Sequence, residues 1–78
     1  MSKYDYTTRV GRAEFYNSGE WRELRRLVLE RDRYECVWCR SEGKVTTDKH
    51  SVLEVDHIME LEYYPEEATN IDNLRTLC

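Results

Sequence analysis

The stretch Cys36-Val37-Trp38-Cys39 decides the fold, because a CxxC turn can bring two thiolates to one metal ion. In a tetrahedral zinc site each thiolate lies about 2.3 Å from the ion. The third cysteine of the sequence, Cys78, is a candidate for a further ligand. We therefore predict a structural Zn²⁺ at these cysteines. The fourth ligand stays open between His50, His57, water and a residue beyond Cys78.

Two other interpretations of the CxxC pair also stay open. Both cysteines could be ordinary small buried residues, or the pair could be a redox site. A redox CxxC usually follows a strand and begins a helix, whereas this pair follows a predicted helix. A disulfide framework is disfavoured by the odd number of cysteines and by the lack of an apolar secretory segment after Met1.

Length and composition indicate one small domain. Of the 78 residues, 40% are hydrophobic and 36% are charged, so the core is thin. Ordering costs about 1.5 kcal/mol per residue, which apolar burial in so short a chain rarely exceeds by much. We therefore expect a metal, a disulfide or a partner subunit to add stability. The longest aliphatic run is 27–29, too short for a membrane span, so we expect an intracellular, cytoplasmic protein.

The charge is distributed unevenly along the chain. Residues 1–40 carry a net charge of +2 and residues 41–78 a net charge of −6. The overall charge of −4 disfavours tight non-specific binding to phosphate backbones. The acidic half is either a solvated face or a site that recruits a divalent cation.

Periodicity predicts one long helix over about residues 19–32. Ser18 is its predicted N-cap, and one face carries four apolar residues, Trp21, Leu24, Leu27 and Val28. Three arginines occupy other positions, namely Arg22, Arg25 and Arg26. They either contact phosphate or are solvated and paired with Glu23 and Glu30 at helical spacing, and we hold the two alternatives equal.

The rest of the chain is predicted to hold short strands. Residues 1–13 are polar and aperiodic, which indicates an arm or loop. Strands are expected at 52–58 and 74–77, while residues 44–48 pair with the first strand or with nothing. Between the two strands, Pro65 and Asn70 indicate an irregular segment.

Asp56 and His57 stand side by side at the end of the first predicted strand. An aspartate can bind a hard divalent cation, and a neutral histidine can deprotonate water. Because neighbouring strand residues point to opposite faces, the two can share a task only if the backbone bends or twists there. The alternative is a surface histidine beside a turn carboxylate. Asn73 could likewise form an ordinary Asx turn.

Taken together, CxxC, then VDHI, then NIDNLRTLC closely resemble the HNH endonuclease family with a zinc-bound ββα-metal fold. The segment 15–21 also resembles the lead-in of small phage HNH nucleases, so the resemblance spans about residues 14–78. It implies an α+β domain over 14–78, preceded by an N-terminal arm over 1–13. This domain would contain an N-terminal helix, a zinc knuckle and the β-hairpin of a His-Me finger fold.

The resemblance also implies roles for individual residues. His57 would be the general base that activates water, and Asp56 would bind the catalytic divalent metal, Mg²⁺ or another cation. Asn73 would hold the loop and help to orient the histidine. Cys36, Cys39 and Cys78 would be three of the four zinc ligands. The implied activity is hydrolysis of phosphodiester bonds in DNA.

The family pattern continues as LCxxCHxxK, with a fourth zinc ligand, a metal-binding histidine and a closing helix, and this sequence stops before that segment. We therefore expect residues 1–78 to be an inactive or nearly inactive fragment that is prone to oligomerise. Phage DNA-packaging proteins are possible partners by resemblance. The alternative function is a non-catalytic zinc-knuckle module that binds nucleic acid, which is favoured if Asp56 and His57 point apart or into the core.

Overall fold

The computed structural model describes residues 3–78. Within this range the chain forms three α-helices, α1 (Arg9–Tyr16), α2 (Gly19–Arg31) and α3 (Val37–Ser41), and two strands, β1 (Glu54–His57) and β2 (Leu74–Leu77). The strands form an antiparallel sheet in which Asp56 lies opposite Arg75 and His57 opposite Leu74. Short 3-10 turns at Pro65–Glu67 and Ile71–Asn73 lie between them. The predicted small α+β architecture is confirmed.

The helix α2 begins where the sequence predicts. The Ser18 hydroxyl accepts a hydrogen bond from the Trp21 amide at 3.1 Å, which satisfies one of the free donors of the first turn. Trp21, Val28 and Leu29 are buried, but Leu27 is 40% exposed, so its predicted place on the buried face was wrong. At roughly 100° per residue, Leu27 lies about 120° around the helix from Trp21, which carries it off the face.

The helix α1 corrects the prediction that residues 9–13 belong to an irregular arm. Thr8 caps this helix through a hydrogen bond from the Gly11 amide at 3.0 Å. Gly11 and Phe15 are its buried residues, so α1 shows no apolar periodicity in the sequence. A Cβ at Gly11 would lie 1.8 Å from the Asp5 carbonyl oxygen, so the close approach there requires glycine. Of the predicted arm, residues 1 and 2 lie outside the described range.

One aromatic cluster joins the helices to the sheet. Phe15 is fully buried, with ring centroids 5.2 Å from Tyr6 and 5.3 Å from Trp21. The buried residues of this core come from α1, α2, β2 and the segments beside them: Tyr6, Phe15, Trp21, Val28, Leu61, Ala68 and Leu74. No helix within residues 3–78 is long and apolar enough to cross a membrane.

The segment 44–48 pairs with the chain that precedes α3. Glu35 and Thr47 form an isolated antiparallel bridge, and the Cys36 amide donates to the Thr46 carbonyl at 2.8 Å. The pairing predicted with the first strand, or with nothing, was therefore wrong. The bridge instead holds the start of the CxxC turn against a neighbouring loop.

An arginine and an aspartate at the end of α2 fasten β2 to that helix. Arg31 donates to the carbonyls of Ile71 at 2.7 Å and Leu74 at 2.6 Å. The buried Asp32 carboxylate accepts hydrogen bonds from Arg31 at 2.9 Å and from the Thr76 amide at 3.0 Å. Burial acts to raise the pKa of Asp32, but these hydrogen bonds outweigh it and hold the pKa below its usual value.

We expect Asp32→Asn to lower the free energy of unfolding at pH 7 by about 1.5–3 kcal/mol, the range for hydrogen bonds to a charged group. Because the folded pKa is depressed, this contribution is fully present above the ordinary value of 3.8 and is lost as the pH falls through the folded pKa. Urea denaturation at pH 7 and in acid measures both effects. Asp48→Asn, at an exposed aspartate, is the control. Equal midpoints for Asp32→Asn and the wild type at pH 7 would contradict the assignment.

Candidate active site and metal centre

His57, the last residue of β1, is buried with one ring nitrogen locked and the other directed to a cleft. Its ring stacks on Trp21 with centroids 5.4 Å apart and planes 17° from parallel. Nε2 lies 2.9 Å from the Ala68 carbonyl oxygen, which can only accept a hydrogen bond. In the neutral imidazole, Nε2 therefore carries the hydrogen and Nδ1 has the free lone pair. The Tyr16 hydroxyl, 3.3 Å from Nδ1, donates to that lone pair.

Asp56 lies beside this histidine with its side chain 47% exposed. Its Oδ2 accepts from Arg75 Nη2 at 3.2 Å. An open cleft of about 240 Å³ contacts both residues, and it is lined by Arg12, Tyr16, Asp56, His57, Glu60, Leu61 and Glu62. Both residues line the cleft although each is paired within the sheet, Asp56 with Arg75 and His57 with Leu74. Oxygen donors beside a cleft of this kind suit a hard divalent cation.

Asn73 holds the segment that follows His57. Its Oδ1 accepts from the Met59 amide at 2.8 Å, and its Nδ2 donates to the Met59 and Glu67 carbonyls at 3.2 and 3.3 Å. Its own carbonyl accepts from the Ile58 amide at 2.8 Å. The buried amide thus ties together the loops on either side of the His57 ring, including the one that carries Ala68.

Three sulfur atoms converge at the other end of the hairpin. The Sγ atoms of Cys36, Cys39 and Cys78 all lie within 4.8 Å of one another, and none of the three cysteines forms a disulfide. Neither His50 nor His57 belongs to this cluster: His50 Nδ1 accepts from the Thr47 amide, and both ring nitrogens of His57 face groups elsewhere. The two histidines are therefore excluded as the fourth ligand in this arrangement.

The electrostatics of the thiols favour a cation between them. Desolvation acts to raise the pKa of Cys36, but hydrogen bonds from Cys39 and Cys78 lower it to about 7. Hydrogen bonding to Cys36 and Cys39 raises the pKa of Cys78 to about 11. Three thiolates so close repel one another, and the positive charge of a bound metal offsets that repulsion and keeps its ligands deprotonated. Cys36 also caps α3, so the pair does begin a short helix, contrary to the sequence argument against a redox site.

The chain is similar to known phage nucleases. A model of the HNH endonuclease family matches residues 36–78. The "Probable HNH endonuclease" of Lactococcus phage SK1 is 38% identical over 80 residues, covering 97% of this chain and 78% of the relative. This chain belongs to the HNH endonuclease family.

The fold of this HNH endonuclease is also that of a solved relative. The crystal structure of the deep-sea thermophilic bacteriophage GVE2 HNH endonuclease with manganese ion superimposes with a TM-score of 0.77 and 38% sequence identity. The match covers 100% of this chain and 82% of the relative. The resemblance to a small phage HNH nuclease, drawn from the three motifs, is thereby confirmed. Because HNH endonucleases act on DNA, DNA is the class of partner for this chain.

Two residues of the cleft, Tyr16 and Arg12, were not predicted from the sequence. Tyr16 reaches His57 from α1, and burial, followed by the charge of Asp56, raises the pKa of its phenol. Arg12, also on α1, donates to Glu62 at 3.2 Å and to the Tyr6 carbonyl at 2.9 Å. Neither belongs to one of the three motifs. The aromatic residues of the lead-in segment 15–21 were the one available signal.

The three arginines of α2 differ in their contacts. Arg26 forms ion pairs with both Glu23 and Glu30, as expected if it is a solvated surface residue and not a phosphate contact. Arg22 donates to the Asn17 carbonyl at 3.0 Å and Arg25 to the Leu53 carbonyl at 3.3 Å. These contacts leave Arg22 and Arg25 without a carboxylate partner among the described ion pairs.

Proposed function

We propose that this HNH endonuclease hydrolyses DNA phosphodiester bonds with His57 as general base and Asp56 as ligand of a divalent cation, Mg²⁺ or another. One observation carries the proposal. His57, whose Nδ1 lone pair faces the Tyr16 hydroxyl, and the exposed carboxylate of Asp56 border the same cleft, while Nε2 is fixed by the Ala68 carbonyl. The shared cleft disfavours a non-catalytic zinc module in which Asp56 and His57 point apart. The burial of His57, which is 7% exposed, is the feature that such a module would share.

In this proposal His57 Nδ1 takes a proton from water as the water oxygen forms a bond to phosphorus and the bond to the leaving oxygen breaks. A cation bound at Asp56 would neutralise the negative charge that develops on the phosphate and on the leaving oxygen. Asn73 positions the histidine by holding the loop at Met59. The Tyr16 hydroxyl occupies the place on Nδ1 that the reacting water needs, so it has to move aside or share it.

For the cysteine cluster we propose structural Zn²⁺. Three thiolates within 4.8 Å match the tetrahedral preference of zinc and the ligand spacing of structural sites. The fourth ligand is a water molecule or a residue beyond Cys78. As further proposals we retain phosphate contacts by Arg22 and Arg25, a cytoplasmic location, partnership with phage DNA-packaging proteins, and self-association. The ion pairs of Arg26 with Glu23 and Glu30 disfavour a phosphate contact there.

The test compares two polypeptides in a plasmid-nicking assay with Mg²⁺, Mn²⁺ or Ni²⁺. One is residues 1–78 alone, and the other, the extended polypeptide, carries the family's Cys-His segment and closing helix after Cys78. We expect nicking by the extended polypeptide and little or none by residues 1–78. A single strong carboxylate holds Mg²⁺ weakly, because the ion gives up its hydration shell reluctantly.

Equal nicking by both polypeptides would show that residues 1–78 already contain a complete cation site. Glu60 and Glu62, which line the cleft, would then be the residues to substitute first. DNA binding without cleavage by the extended polypeptide would instead support the non-catalytic module.

A further inference from the structure

Arg75 faces the carboxylate that the proposed function assigns to the cation. It lies directly opposite Asp56 across the two-stranded sheet. Its Nη2 and Nε reach the same oxygen, Oδ2, at 3.2 and 3.4 Å. Both contacts are long, and the aspartate is half-exposed, so this cross-strand ion pair is weak and readily exchanged.

A second contact holds the Arg75 guanidinium independently of Asp56. Its central carbon lies 4.9 Å from the ring centroid of Trp38, in the geometry of a cation–π interaction. Trp38 belongs to the CxxC turn and is 57% exposed, so the stacked pair is open to solvent. If Asp56 takes another partner, the Trp38 ring can still hold the guanidinium in the neighbourhood of Asp56.

A cation bound to Asp56 changes the balance of charge around Arg75. The positive guanidinium and the divalent cation compete for one carboxylate and repel each other. An arginine side chain keeps its charge, so it can relieve that repulsion only by moving away from the cation. A planar guanidinium freed from its carboxylate is instead suited to a phosphate group, which it matches in shape and charge.

We propose that Arg75 is a phosphate-binding residue that the catalytic cation uncovers. Without the cation it neutralises Asp56. With the cation bound it turns to a phosphate of the DNA backbone while remaining stacked on Trp38. This inference rests on the proposed function, because it requires a cation at Asp56. It assigns Arg75 a role that the HNH motifs leave open.

The test measures two affinities of zinc-loaded residues 1–78 without relying on activity, and it extends to Mn²⁺ concentrations that saturate the weak cation site expected of this chain. Mn²⁺ affinity is measured by electron paramagnetic resonance. Affinity for a short fluorescent duplex is measured by anisotropy, with and without Mn²⁺, over a period in which a gel shows the duplex intact. For Arg75→Gln we expect Mn²⁺ to bind about threefold more tightly, because the competing charge is gone. We expect duplex affinity to fall about fivefold with Mn²⁺ and to change little without it.

Two further variants separate this role from general charge and from folding. Arg9→Gln removes an exposed arginine on α1, and its effect on duplex binding should be the same with and without Mn²⁺. Arg75→Lys keeps the charge but loses the planar fork, so it should recover part of the Mn²⁺-dependent affinity. Zinc content and circular dichroism check that each variant is folded.

The outcomes distinguish the two levels of the proposal. If Asp56→Asn leaves Mn²⁺ affinity unchanged, the assignment of Asp56 as the cation ligand fails, and the role of Arg75 fails with it. If Mn²⁺ does depend on Asp56 but Arg75→Gln weakens duplex binding equally in both conditions, only the role of Arg75 is overturned. An absence of Mn²⁺-dependent duplex binding by the wild-type chain overturns it as well.

Discussion

His57→Ala is expected to lower DNA nicking by the extended polypeptide by about 10²–10⁴-fold, the usual contribution of a positioned general base. The reason is the Nδ1 lone pair of His57, which alanine removes from the wall of the cleft. Initial rates of supercoiled-plasmid nicking at saturating Mg²⁺ measure the effect. His57→Gln serves as a second variant, because alanine leaves a cavity against Trp21.

The chain offers a matched control for this substitution. His50 is exposed and lies outside the cleft, so His50→Ala should nick DNA like the wild type. Asp56→Ala should lose activity in a different way, since excess divalent cation should partly restore it. Undiminished nicking by both His57 variants would mean that the base is another residue.

Removal of zinc is expected to unfold residues 1–78. In small zinc domains the free energy of zinc binding supplies the free energy of folding, and it amounts to about 10–16 kcal/mol in zinc-finger peptides. The thin core of this chain contributes little stability of its own. Cys36 is 1% exposed and lies at the junction of the segment 44–48 with α3, so loss of the metal should release both. Elemental analysis should find zinc in the purified protein. A thermal melt by circular dichroism should lose its cooperative transition after treatment with a chelator.

Cys36→Ser should reproduce the effect of the chelator. Ser41→Ala, at an exposed position in the same helix, should leave zinc content and melting unchanged. Protein that contains no zinc and keeps its fold in chelator would remove the structural-metal assignment. The cysteine cluster would then be a packing feature or a redox group.

The family and the α+β class could be predicted from the sequence because the motifs that indicate them are short stretches of consecutive residues. A CxxC turn, the pair Asp56-His57 and the segment ending at Cys78 each have a fixed residue type, order and spacing. The same holds for α2, whose cap and apolar face lie within one helix, and for β2, which the structure places at 74–77 as predicted. The first strand was predicted two residues too early, since Val52 is apolar yet 80% exposed.

The remaining features depend on contacts between distant segments. Helix α1 buries Gly11 and Phe15 alone, which is too little for a periodic pattern, and it is ordered by the aromatic cluster it joins. The pairing of residues 44–48 with the start of the CxxC turn likewise depends on where α3 lies.

The sequence by itself singled out the side chains that we propose carry the chemistry: a histidine, an aspartate and three cysteines, spaced as in the HNH family. Only the tertiary structure decided how they can act. The Ala68 carbonyl selects the tautomer of His57, Tyr16 covers its free nitrogen, and Arg75 occupies Asp56. These partners lie 11, 41 and 19 residues away along the chain. No local pattern encodes such contacts, because packing of the helices against the hairpin brings them together.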